Sequence, residues 1–97
     1  MKPTDKPIAN PVAVLREEFD NWAVLFNPDT AEAVGINPVG TVIWKQMDGR
    51  HNLDQIMAEV MDHFADVPEA AGEEVSAFVD DLAQLGFVGF EIKKAVI

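Results

Sequence analysis

Apolar positions along this chain change their period. From Val12 to Ile36 they come in short alternating runs, and from Pro38 to Leu85 they recur every three or four residues. Alternation puts successive side chains on opposite faces of a strand, whereas the longer spacing lines one face of a helix. Residues 12–16 read as a first strand. Residues 22–26 read as a second, with Trp22, Val24 and Phe26 on one face and Ala23 and Leu25 on the other. Asn27-Pro28-Asp29-Thr30 is a turn signal, because proline pre-sets the backbone of the second turn position. Residues 31–36 read as a third strand: Glu32, Val34 and Ile36 share one face, and Ala31, Ala33 and Gly35 share the other. Strands joined by connections this short predict an antiparallel meander.

The helical part opens at Asn37-Pro38. The Asn37 side chain can accept from free N–H groups at a helix start, and proline at the first helical position has no N–H to leave unpaired. Val39, Val42, Ile43 and Met47 then carry a first helix over 38–48, and Gly49 offers the left-handed residue that commonly ends one. Asn52 with Gln55 three residues on is a variant of the capping box. It opens a second helix over 53–64, striped by Leu53, Ile56, Met57, Val60, Met61 and Phe64. Asp66, Pro68 and Glu69 predict the start of a third helix, with Pro68 to Gly72 open to an irregular reading. Its stripe is Val75, Phe78, Val79, Leu82 and Leu85, and Gly86 stops it. Residues 87–92 alternate again, as a short strand would. Pro3, Pro7 and Pro11 resist both helix and central strand, so 1–11 reads as a flexible tail and 93–97 as a frayed end. The expectation is a single α+β domain over 12–92, a three-stranded antiparallel sheet followed by three helices.

Composition narrows the function more than the fold. A chain of 97 residues supports one core. Net charge is −10, from 17 acidic against 7 basic residues, and only Lys93 and Lys94 are adjacent bases. A nucleic-acid interface needs a basic footprint to neutralise phosphates, and a third helix bearing Glu73, Glu74, Asp80 and Asp81 without Lys or Arg would be repelled. Cysteine is absent, which removes disulfides, thiol catalysis and Cys-ligated metals, and fits a cytoplasmic setting. No apolar run approaches the roughly 18 residues of a membrane span.

No constellation of catalytic groups emerges. His51 and His63 lack metal-ligand spacing, and the carboxylate runs show no Ca²⁺-loop pattern. The glycines are dispersed rather than gathered into a phosphate loop, and no hydroxyl lies beside a base. The expectation is a non-catalytic protein with no metal or cofactor. What remains is a surface: a third strand unpaired on one side is a template for another chain, and Ala33 and Gly35 would let that chain, or a packing helix, approach closely.

Ile36-Asn37-Pro38, Ile43-Trp44, Met47-Asp48-Gly49, Leu53 and Ile56 follow in a recognisable order. With Glu74-Val75, Phe78-Val79-Asp80-Asp81-Leu82 and Leu85-Gly86-Phe87-Val88, this pattern resembles the PqqD-like proteins over most of the chain. The resemblance implies a winged-helix-like fold and a peptide chaperone, or RiPP recognition element. Such a protein binds the leader region of a ribosomally made precursor and presents it to a modifying enzyme, often a radical SAM protein with a SPASM domain. It implies that the leader adds as a strand to the third strand and lies against the third helix. Carried onto this chain, the peptide-binding residues are Ala33, Val34, Gly35 and Ile36 with Val75, Phe78, Val79 and Leu82, of which some must serve the core instead. Two departures stand out: the third strand is small-sided, and the chain continues past the usual end through Phe90 and Ile92, a tail that could cover a surface, pair with a strand or mediate a homodimer. The alternatives are a structural adaptor that binds only a partner enzyme or itself, with Trp44 as an anchor, and, against the charge, a DNA-binding winged helix.

Overall fold

A computed structural model describes residues 1–90; the expected strand end at 90–92 and the tail at 93–97 lie largely outside them. The elements follow as β1 (Ile8–Ala9), β2 (Val14–Glu17), β3 (Ala23–Asn27), β4 (Glu32–Ile36), α1 (Pro38–Trp44), α2 (Leu53–His63), α3 (Ala71–Gln84) and β5 (Val88–Gly89). The three-stranded sheet is antiparallel in the order β2-β3-β4, and β1 pairs with β5 in a second, two-stranded ladder. The α+β architecture is therefore the one the periodicity predicts.

Both hairpins are shaped by left-handed residues. Asp20 and Asn21 take φ of 58° and 64°, the mirror-image turn that suits strand twist. Glu18 N–H and Trp22 N–H bond across it to Trp22 C=O and Phe19 C=O, so two residues oppose one and the strand carries a bulge there. In the second hairpin Asn27 Oδ1 accepts from Asp29 N–H at 2.9 Å. Ala31, at φ 61°, belongs to this turn, so β4 starts one residue later than alternation alone predicts.

The helix signals act as read. Gly40 N–H donates to Asn37 Oδ1 at 2.8 Å, and Asn52 and Gln55 form the reciprocal capping box. α1 is shorter than expected because Gln46 N–H and Met47 N–H bond back only three residues, which tightens the last turn. Met47 C=O then accepts from Ala9 N–H, and Ile8 pairs with Asp48, so the end of the predicted helix is spent on β1. α3 starts at Ala71 with no side-chain cap, not near Asp66, whose φ of 57° breaks the helical path. The core gathers Ala23, Leu25 and Ile36 of the sheet with Ile43, Trp44, Ile56, Val60, Val75, Val79 and Leu82 of the helices, and Phe87 and Val88 beyond α3.

The proline-rich segment expected as a tail packs on the domain. Pro7 is buried, Asn10 N–H donates to Phe87 C=O, and the Met1 ammonium group bonds both Asp80 oxygens at 2.7 Å. Gly49 holds this segment in place. Its N–H donates to Pro7 C=O, its φ is +79°, and a Cβ there would stand 2.9 Å from Ile8 Cγ1. Gly49→Ala is expected to destabilise the protein by roughly 1–3 kcal/mol, from the left-handed backbone and the clash together. Urea unfolding reads this as a lower midpoint, and an unshifted midpoint would show that the segment does not dock through Gly49.

Candidate functional site

β4 is the edge of its sheet: β3 covers one side, and no described strand covers the other. Which of its backbone groups are free follows from the ladder. In an antiparallel pair, alternate residues turn their N–H and C=O toward the same neighbour. The Glu18–Trp22 bond turns Trp22 toward β2, and with it Val24 and Phe26. Ala23, Leu25 and Asn27 therefore face β4, where their partners are Ile36, Val34 and Glu32. The groups left pointing outward are the N–H and C=O of Ala33 and Gly35. Both residues are exposed, and a Cβ added at Gly35 would meet nothing within 4 Å.

α3 flanks this edge. A Cβ at Gly40 would lie 3.1 Å from Phe78 Cζ and 3.2 Å from Ile36 Cβ, so the middle of α3 stands beside the C-terminal end of β4. Its far end approaches the other end of the strand: Gly86 lies beside Asn27, the partner of Glu32. From Phe78 to Gly86 a helix rises about 12 Å, and from Ile36 to Glu32 a strand rises ~14 Å, so the two stretches match in length. β4 packs chiefly on β3, and α3 on α2 and β5. The strip between the free edge of β4 and the outer flank of α3 is the groove that an added strand would occupy.

The predicted site residues divide across this groove. Ala33 and Gly35 are exposed on the edge, Val34 is half-buried, and Ile36 is buried at the groove's closed end. Of the helix positions, Val75, Val79 and Leu82 are core residues at 4%, 0% and 1% exposure, and only Phe78 is half-buried at the surface. One apolar stripe cannot both seal the core and stay open to a ligand, and its centre goes to the core. Beside Phe78 opens a cleft of about 400 Å³, bounded by Val39 and Gly40 of α1, Val67 and Pro68 of the α2–α3 connection, and Glu74 of α3. Sequence reasoning missed this cleft, although Gly40, directly beneath Phe78, is its one local signal.

Trp44 is 8% exposed and fills the core, which leaves it no role as a surface anchor. The exposed aromatics are Phe19, Trp22 and Phe26. Val14, Val24, Phe26, Ala33 and Gly35 share the sheet face that the helices do not cover. At the end of α2, Glu59, Asp62 and His63 bring their ligand atoms within 4.8 Å of one another, but His63 Nδ1 already lies 2.9 Å from Glu59 C=O. The hydrogen bond with His51, then that from Arg50 N–H, hold the Asp48 carboxyl below its ordinary pKa. It sits in the α1–α2 turn, away from the groove.

A sheet edge open to a peptide and backed by the third helix is the arrangement that the sequence resemblance implies. The family model for coenzyme PQQ synthesis protein D (PqqD) matches residues 23–88. The chain belongs to the PqqD family. That match takes in β3, β4, all three helices and the start of β5, and so the whole groove. Among solved structures the chain resembles TbiB1 in complex with the TbiA(beta) leader peptide, at 18% identity and a TM-score of 0.69, covering 92% of this chain and 99% of that one. At that identity the likeness speaks for the fold. No curated protein matches the sequence.

Proposed function

We propose that this PqqD-family protein is a non-catalytic peptide chaperone. It binds the leader region of a ribosomally synthesised precursor as an extra strand on β4 and presents it to a modifying enzyme of the radical SAM/SPASM kind. The observation that carries the reading is the free edge of β4 at Ala33 and Gly35, with a cleft beside Phe78 on the neighbouring α3. The family membership and the leader-bound TbiB1 fold support it. Main-chain bonds would supply affinity, and the Phe78 cleft would take a side chain. Such work needs no membrane segment, and among the described residues no helix is long and apolar enough to cross one; the reading places the protein in the cytoplasm.

Titration with the leader segment of a precursor peptide encoded beside the protein tests the proposal. Saturable binding is expected, and a folded protein that binds no such peptide would sink it. Phe78→Ala is expected to weaken binding about ten- to a hundredfold, as loss of a central aromatic contact does, while unfolding shifts less than for a core residue. Equal affinity for the variant would remove Phe78 from the site.

The uncovered face of the sheet favours a second reading, an adaptor that docks on its enzyme. Trp22 and Val14 stand 53% and 52% exposed there, and exposed apolar surface of this kind marks interaction sites. Co-purification with the enzyme in the absence of any peptide distinguishes the adaptor from the chaperone.

A further inference from the structure

Exposed carboxylates flank the free edge of β4 and the outer side of α3, and this bears on what the groove accepts. Phe78 has Glu74 four residues before it and Asp81 three after, spacings that share a helix face. Glu74 lines the Phe78 cleft. Asp81 lies farther along α3, in the stretch that runs toward Gly86 and the Glu32 end of β4. Glu32, Glu74 and Asp81 are exposed, and among the described residues none of the three is in an ion pair. Asp80, by contrast, is bound by the Met1 ammonium group on another side of α3. Neither β4 nor α3 contains a lysine or arginine. Lys45 reaches Glu17 and Arg16 reaches Glu18, both on or beside β2.

An added strand would present alternate side chains to the helix side of the sheet, level with Ile36, Val34 and Glu32. The first two positions are level with apolar residues, Val34 and Ile36, the latter beside Phe78. The third is level with Glu32, toward which the Asp81 end of α3 runs. We propose that the groove selects an extended basic–apolar peptide. Apolar side chains lie over Ile36, Val34 and Phe78, and lysine or arginine stands beside Glu32 and Asp81 at one end and Glu74 at the other. This rests on the strand-addition reading and adds the chemical class of the segment bound. Opposite charge across an interface speeds encounter and sets register, while an acidic segment would be repelled at both ends.

The test selects displayed random peptides on the full-length protein and titrates the winners by fluorescence anisotropy at low and high salt. The expected winners combine an apolar pair with flanking lysine or arginine. Glu74→Lys/Asp81→Lys is expected to weaken them about tenfold or more, with loss of most of the salt dependence. Glu73→Lys/Asp62→Lys makes the same change in net charge away from the groove, and each pair includes one glutamate from the first turn of α3. That control is expected to stay within about twofold. Neutral or acidic winners, or equal weakening by the two double variants, would overturn the charge inference and leave strand addition standing, provided Gly35→Pro blocks the winners. Winners indifferent to Gly35→Pro, or no winners at all, would overturn both.

Discussion

Gly35→Pro is expected to lower leader-peptide affinity by about 10- to 100-fold while the protein stays folded. Gly35 is exposed on the free edge of β4, and its N–H points away from β3. Proline removes that donor and sets its ring where the added strand would lie. The peptide carbonyl left without a donor costs about 1–3 kcal/mol, roughly 5- to 150-fold, which spans that range. The fold tolerates the change because proline is accepted on the outward side of an edge strand. Val34→Pro makes the matching control. Its N–H faces Leu25 of β3, so proline there breaks the sheet and is expected to lower stability by roughly 3 kcal/mol. Anisotropy titration and urea unfolding of the two variants separate the cases. If Val34→Pro stays stable while Gly35→Pro unfolds, the alternation of free and paired groups along β4 is reversed.

The second large effect is on stability. Phe87 is completely buried where α3, β5 and the N-terminal segment meet, and its carbonyl accepts from Asn10 N–H at 2.8 Å. Phe87→Ala is expected to cost roughly 3–5 kcal/mol, from lost burial and the cavity left behind. A domain of this size holds only about 5–15 kcal/mol in total, so the melting temperature should fall by on the order of 15–30 °C. Phe19, also a phenylalanine, is 80% exposed in the β2–β3 connection. Phe19→Ala is expected to stay within about 0.5 kcal/mol of the parent. Similar losses for the two would mean that Phe87 does not anchor the core.

These effects differ because of position, and only part of position is legible in the chain. Period and capping are local, so the residues that carry them speak for themselves. Trp22 to Phe26 alternates, the stripe from Leu53 to Phe64 recurs at helical spacing, and Asn37 and Asn52 each reach a backbone N–H three residues on. The sequence by itself therefore determined the three-stranded sheet, the three helices, the acidic surface and the family resemblance. Tertiary structure decided the rest, because each point depends on residues far apart in the chain. The bulge beside Asp20 and Asn21 sets the ladder's alternation and so frees Ala33 and Gly35 rather than Val34. Packing of α3 against α2 and β5 takes Val75, Val79 and Leu82 into the core and leaves Phe78 at the groove above Gly40. The partners of residues 1–11 lie more than thirty positions away, at Met47, Gly49, Asp80 and Phe87, so local proline content reads as a tail what long-range pairing makes into a strand and a strap.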